Sequence, residues 1–308
     1  MKKYIYAFVI LHYGEAKMTI DCVNNLLDKI KDEKSAIIVV DNNSPLQTGK
    51  QVDGEFESKN NVFFIYNKKN LGFANGNNVG YKFAKDVLNS EYICVMNNDV
   101  FILQENFWDL VKRIDENNLA VVGPHICLKN GEENAMYYKM NSVEELEKER
   151  NAYIKQLRRI KSSIWRFWTK WDKFKLVVRK LLGYIGVMDK LVLHEEMIEG
   201  SLDKHYNIIL HGCCLIFMPS YIKKFDEGFD TETFMFREEE LLYLRCRDKE
   251  LNMLYYPEIE VKHLEDVSTN YIYNNDRKKL IFNYENQIVS LGILIKKCHK
   301  LNEERSLE

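Results

Sequence analysis

The chain has 308 residues, 46% hydrophobic and 29% charged, with 44 basic against 46 acidic side chains and a formal net charge of −2. That length buries a substantial core, as one large α/β domain or two smaller ones, and the charge balance argues against a nucleic-acid binder. Seven cysteines without regular spacing and without a CxxC pair fit a reducing compartment with free thiols. Residues 1–3 lead straight into an apolar run too short for a signal peptide, and no stretch approaches the roughly 20 apolar residues of a membrane span. The expected location is the cytoplasm.

Residues 4–11 (YIYAFVIL) read as a buried strand, short, aromatic and aliphatic, without helical spacing. Residues 16–30 then carry Met18, Cys22 and Leu26 at helix spacing. Residues 36–40 (AIIVV) are a second buried strand, stopping at Asp41, and residues 62–66 (VFFIY) a third. A Gly/Asn-rich turn follows, then a helix over 79–88, then a fourth strand over 92–96 that runs into Asn97-Asn98-Asp99. Strand–helix alternation predicts a mostly parallel sheet with helices on its faces, whose ligands bind at the carboxyl ends of the strands. Every polar cluster named so far falls at that edge.

After Gly123-Pro124 the pattern changes. Residues 142–193 are long, helical and charged; strand-like and helical pieces return over 208–261; residues 275–300 form a closing amphipathic helix. The expected segments are 1–125, a helical and basic insertion over 126–205, a second half over 206–270, and a C-terminal helix and tail over 271–308.

The clusters carry chemistry of a recognisable kind. Asp41, beyond its role as a turn former, is placed to accept a hydrogen bond from a nucleobase, with Tyr13 as an aromatic face beside it. The stretch NLGFANGNNVG (70–80) is neither GxGxxG nor a P-loop, but small residues at a helix start admit close backbone approach, and Asn70 and Gly72 stand there. Asn98 and Asp99 end a buried strand where a diphosphate needs its charge neutralised. Mg²⁺ and Mn²⁺ accept one or two protein carboxylates plus phosphate oxygens. Glu238-Glu239-Glu240 open a helix-like run; three acids there suit the helix dipole, and one of them is a candidate general base. His263 is a candidate for the metal or a phosphate.

In order and spacing these pieces resemble the family 2 glycosyltransferases of GT-A fold, in their rhamnosyltransferase-like branch. The matching segments are AFVILHYG, IIVVDNNS, NKKNLGFANGNNVGYKFA, YICVMNND, HGCCLIFMP, GFDTETFMFREEELLYLR and VKHLEDVST, spanning roughly residues 4–269. The resemblance implies that Asp41 recognises the donor base beside Tyr13, that Asp99 holds a Mn²⁺ or Mg²⁺ ion on the donor diphosphate, and that Gly212 and Cys213 lie by the transferred sugar. It implies an inverting transfer from a UDP- or dTDP-sugar to a glycan or lipid-linked glycan in cell-surface polysaccharide synthesis. Glu239 stands where the family has its catalytic aspartate, with Glu238 in competition. Two departures stand out: Leu241 replaces an aspartate of the family, and two of the three metal-motif positions are asparagine. They keep open a catalytically impaired nucleotide-sugar-binding scaffold. A sugar-phosphate nucleotidyltransferase is disfavoured, because HYGEAKMT after the first strand is not a basic Gly-rich loop.

Residues 151–190 hold eleven Lys/Arg against two Asp, with Trp165, Trp168 and Trp171 among them. On a helix, Phe167, Trp171, Phe174, Val178, Leu181 and Ile185 share one face with basic residues on both flanks. That pattern suits a helix lying on an anionic membrane surface, or one packed on the catalytic core or a second subunit of a homodimer.

Overall fold

In the computed structural model, residues 3–128, 133–134, 137–162, 203–264 and 276–306 are described. The four apolar runs of the first half become parallel strands β1 (Tyr6–His12), β2 (Ser35–Asp41), β3 (Val62–Tyr66) and β4 (Tyr92–Asn97). They read as continuous apolar stretches because both faces of the sheet are covered. Phe8, Ile10, Ile37 and Val39 pack into one core, and Ala7, Val9, Ile38 and Val40 into a second core on the other face.

The remaining strands are β5 (Val100–Ile102), β6 (Leu119–Leu128), β7 (Glu133–Asn134), β8 (Tyr137–Tyr138), β9 (His205–Tyr206), β10 (Ile209–Leu210), β11 (Cys214–Phe217) and β12 (Asn252–His263). The main sheet runs β3-β2-β1-β4-β11-β6-β12-β5. Its first four strands are parallel; β11 is antiparallel to β4 and β6, and β12 is parallel to β6 and antiparallel to β5. One mixed sheet therefore joins the two halves of the chain, and β11 returns from late in the sequence to lie beside β4. Gly123 and Pro124 do not end an element, since β6 runs through both. Proline, which has no N–H, sits beside an irregular stretch of the ladder, where the register with β12 shifts between Tyr256 and Glu260.

Helices α1 (Ala16–Lys29), α2 (Thr48–Phe56), α3 (Gly72–Lys82) and α4 (Phe107–Arg113) flank the first half. Helix α3 begins seven residues earlier than its apolar spacing predicts. Its asparagines account for this: Asn75 Nδ2 donates to the Thr231 carbonyl at 3.1 Å, and Asn78 exchanges hydrogen bonds with both backbone groups of Phe229 at 2.8 and 3.0 Å. Gly72, at φ +78°, opens the helix with the Phe234 carbonyl so close that a Cβ would stand 2.0 Å from its oxygen.

Helices α5 (Val143–Lys161), α6 (Pro219–Lys224), α7 (Glu238–Asp248) and α8 (Asp276–Ser306) complete the described chain. Ser142 and Glu145 form a reciprocal capping box at the start of α5. Leu146 of α5, Leu241 and Leu244 of α7, and Leu291, Leu294 and Leu301 of α8 make a third apolar cluster. This accounts for Leu241. Only 2% exposed, it packs among the leucines of this cluster, where a carboxylate would be costly to bury. The first part of the basic segment belongs to α5 and packs on α8, with Lys161 paired to Glu285 at 2.5 Å and Arg277 donating to the Ile160 carbonyl at 3.0 Å. Trp165, Trp168, Trp171 and the rest of the predicted surface helix lie outside the described residues. Among the described residues no helix is long and apolar enough to cross a membrane.

Candidate active site

Parallel pairing brings the carboxyl ends of β1, β2 and β4 to one edge, with His12 opposite Asp41 and Leu11 opposite Asn97. Asp41 is buried, and its Oδ1 accepts the Ser44 N–H at 2.9 Å, so it does form the turn. Tyr13 follows β1 and is half-buried.

The next residue, Asn42, is 2% exposed and wires the turn together. Its Oδ1 accepts from Asn67 Nδ2 at 3.1 Å and from the Leu71 N–H at 3.0 Å; its Nδ2 donates to Asn70 Oδ1 at 2.9 Å and to the Gly72 carbonyl at 3.0 Å. Two donors and two acceptors are matched, which uses the hydrogen-bonding capacity of its amide. Asn70 and Gly72 are therefore held beside Asp41, with Asn70 Oδ1 also accepting the Gly72 N–H at 2.8 Å.

A second chain of hydrogen bonds runs below the edge. Asn98 Nδ2 donates to Thr19 Oγ1 at 2.9 Å, and Thr19 Oγ1 lies 2.7 Å from His12 Nδ1. On the other side of the ring, His12 Nε2 lies 3.1 Å from Thr48 Oγ1, whose own proton goes to the Pro45 carbonyl at 3.3 Å. Thr48 thus accepts, His12 carries its proton on Nε2, and Thr19 donates to Nδ1. Burial lowers the His12 pKa, opposed by the nearby Asp41 charge, in keeping with a neutral ring. The chain links the end of β4 to the loop after β2, and turns the Asn98 amide inward.

Asp99 lies between β4 and β5. Pairing of β5 with β12 sets His263 opposite Val100, and the Leu264 N–H donates to the Asp99 carbonyl at 3.1 Å. His263 Nε2 consequently stands 3.3 Å from Asp99 Oδ1. Both side chains are buried, yet Asp99 Oδ1 and His263 Nδ1 have no hydrogen-bond partner among the described residues. A buried acceptor oxygen facing an imidazole nitrogen is a donor set that suits Mn²⁺ or Mg²⁺ when phosphate oxygens complete the shell. Among the described residues no third His, Cys, Asp or Glu joins them in a cluster able to hold a metal alone.

The acidic run opens α7. Phe236 and Arg237, both at positive φ, turn the chain into the helix, and the helical step of 3.6 residues per turn points its first three glutamates in different directions. Glu239 Oε1 accepts the Gly212 N–H at 3.1 Å, on the turn leading into β11. Burial raises its pKa, opposed by the N–H groups of its own backbone and of Gly212 and by the Arg237 charge. Glu238, 3% exposed, is pushed up to about 8 by burial and by Glu239, and lies 3.5 Å from Thr233 Oγ1. Glu240 is tied to Arg237 at 2.8 Å, and that guanidinium also reaches Glu149 and Gln287. Cys213 is buried; its carbonyl accepts the Asn97 N–H at 2.8 Å, which fixes the turn to the end of β4.

His211 was not anticipated from the sequence. Its ring lies 5.9 Å from that of His263, centroid to centroid. Asp99, His263, His211, Gly212 and Glu239 thus follow one another along the edge, drawn from β12, α7 and two strand-terminal turns.

The family model described as "Glycosyl transferase family 2" matches residues 7–186, more than half of the chain. The chain belongs to this family. A relative, the low-salt glycan biosynthesis hexosyltransferase Agl10 of Haloferax volcanii, is 28% identical over 109 residues. That match covers 35% of this chain and spans about a third, 34%, of the relative's length. Among solved structures, the mannosyltransferase PcManGT of Pyrobaculum calidifontis, in complex with GDP-Man and Mn²⁺, aligns over 99% of this chain and 76% of its own at 10% identity, TM-score 0.51. GalNAc-T7 with UDP, GalNAc and Mn²⁺ aligns over 97% of this chain and 55% of its own at 12% identity, TM-score 0.56. At those identities the likeness is one of fold. The family 2 chain has the GT-A fold, a mixed sheet flanked by helices.

Proposed function

We propose that the chain is an inverting glycosyltransferase that moves a sugar from a nucleoside-diphosphate donor to an acceptor hydroxyl in glycan synthesis. The observation that carries this reading is the run from Asp99 and His263 to Gly212 and Glu239 along the strand edge that also holds Asp41. Asp41 and Tyr13 receive the base, a uracil or thymine, and the network around Asn42 holds Asn70 and Gly72 against it. Asp99 and His263 are the protein's ligands for the cation, Mn²⁺ or Mg²⁺, whose chemistry is to offset the charge of the departing diphosphate.

Glu239 is the base. Glu239 Oε1 accepts the Gly212 N–H and so is the carboxylate facing the turn, whereas burial and the Glu239 charge raise the Glu238 pKa. Glu239 takes the proton of the acceptor hydroxyl as that oxygen bonds to the anomeric carbon from the face opposite the diphosphate. The bond from carbon to the phosphate oxygen breaks, the electron pair leaves with the diphosphate, and one displacement inverts the anomeric configuration. The acceptor is a glycan or a lipid-linked glycan; of the basic segment over 151–190, the part beyond α5, with its three tryptophans, has the composition suited to an anionic membrane surface on the cytoplasmic side.

A thermal-shift panel of UDP- and dTDP-sugars with Mn²⁺ or Mg²⁺ tests the donor reading, because a ligand that binds the folded state raises the melting temperature. Stabilisation by one nucleotide class, lost in Asp41→Ala, supports it. A flat panel across all donors refutes it.

A further inference from the structure

Residues 229–237, the segment that leads into Glu238 and Glu239, are held from two sides in alternation, by α3 and by α8. Toward α3, the Phe229 backbone pairs with Asn78 at 2.8 and 3.0 Å, and Asn75 Nδ2 donates to the carbonyls of Thr231 and Thr233 at 3.1 and 3.4 Å. The Phe234 carbonyl accepts the Phe73 N–H at 2.8 Å, beside Gly72. Toward α8, Lys297 Nζ pairs with Asp230 and, at 2.7 Å, with Glu232. Ser290 Oγ donates to the Met235 carbonyl at 2.8 Å, and Arg237 Nε donates to Gln287 Oε1 at 3.1 Å. Gln287, Ser290 and Lys297 stand three and then seven residues apart, on one face of α8. Ser290 is 1% exposed. The segment ends on Phe236 and Arg237, at φ +75° and +68°. Side chains with a Cβ adopt that conformation at a cost, and it persists where the surroundings impose it. The contacts of α8 with Met235 and Arg237 fall on either side of Phe236, and Glu239 follows two residues after Arg237.

From this geometry we infer that Ser290 and Lys297 of α8 are positioning residues for the proposed base: they fix residues 230–237 and, through the Phe236–Arg237 turn, hold Glu239 against the Gly212 N–H. Among the described residues, the side chains of both bond to this segment alone. The inference rests on the reading of Glu239 as the base. Helix α8 lies beyond the family resemblance, which ends near residue 269, and beyond the family match, which ends at residue 186, so neither assigns it a part in the reaction. A helix that touches no reacting atom can still govern the rate, because transfer depends on where the carboxylate stands. A displacement of about 1 Å costs on the order of 100-fold.

The test compares the full chain with Ser290→Ala, Lys297→Met and Lys297→Arg. Three quantities are read: release of UDP or dTDP from saturating hexose donors, with Mn²⁺ and methyl hexosides as acceptors; calorimetric affinity for UDP and dTDP with Mn²⁺; and the melting temperature. Ser290→Ala removes one hydroxyl and nothing more, so it carries the test where Lys297→Met does not fold. Assayed well below their melting temperatures, Ser290→Ala and Lys297→Met should each slow release about tenfold, with nucleoside-diphosphate affinity within about twofold of the parent. Lys297→Arg, which keeps a cation for Asp230 and Glu232, should recover most of the rate. A lower melting temperature with turnover intact at the assay temperature would make these contacts structural only and overturn the inference. Nucleotide affinity that falls in step with the rate would overturn it too, because the defect would then be one of the whole site. If the parent chain releases neither nucleotide, the donor reading itself fails and this inference fails with it; if the parent is active and the variants match it, only the role of α8 fails.

Discussion

The Gly212 N–H donates to Glu239 Oε1 across 3.1 Å, so the turn before β11 and the first turn of α7 meet at one carboxylate. A Cβ built on Gly212 would stand 2.3 Å from that oxygen. Gly212→Ala should therefore displace the proposed base while leaving both elements in place. We expect sugar transfer to fall about 100-fold, the scale of a misplaced catalytic group, with a melting temperature close to that of the parent. Full activity in the alanine variant would detach Glu239 from the chemistry.

The two glutamates should part company on substitution. Glu239→Gln removes the base and should reduce transfer about 10²- to 10⁴-fold, whereas Glu238→Gln should keep most activity because Glu238 is already largely protonated at neutral pH. Stability gives a second readout. The folded pKa of Glu238, about 8, lies above the ordinary carboxylate value, so the folded state binds a proton that the unfolded chain releases. Its contribution is complete below about pH 4.5 and is lost as pH rises toward 8. Melting curves should show Glu238→Gln gaining on the parent between pH 5 and pH 8; a constant gap would show that Glu238 ionises normally.

His12 should act with the opposite sign. Its folded pKa is lowered by burial, so on acidification the unfolded chain takes up the proton first. Stability from the neutral ring is present above about pH 6.5 and declines below it. His12→Gln, which cannot titrate, should lose that slope and cost about 1–3 kcal/mol at neutral pH, chiefly because the buried Thr19 hydroxyl loses its acceptor. Denaturant midpoints at pH 5 and pH 7.5 for both proteins measure the effect.

Arg237 pairs with both Glu149 and Glu240, and all three side chains are exposed by 19% or less. Arg237→Met should leave two carboxylates without it and destabilise the fold by about 3–5 kcal/mol, read as an earlier chemical denaturation midpoint. A shift below about 1 kcal/mol would place the pair with weak surface ion pairs.

The parallel half of the sheet was legible because its strands are apolar on both faces, and Val62–Tyr66 stands where its composition places it. Helix α3 was legible only in part. Glycine and asparagine are poor helix formers, and the bonds from Asn75 and Asn78 to the chain near Phe229 cross about 150 residues of sequence. The three-residue strand β5 gave too little periodicity to read, and it is β5 that sets His263 against Asp99. His211 escaped notice for a related reason: a histidine before a glycine has no signature until β10, β11 and β12 fix its distance to His263. Asp41, Asp99 and Glu239 could be proposed as candidates from order along the chain, whereas the bonds that orient them could not.

Release of nucleoside diphosphate from UDP- and dTDP-sugars, with Mn²⁺ and a hydroxyl acceptor, tests the proposed transfer most directly. The parent chain should consume one donor class, and Asp99→Asn and Glu239→Gln should each retain at most about 1% of that rate while melting as the parent does. Consumption of no donor by the parent, or equal rates in all three proteins, would contradict it.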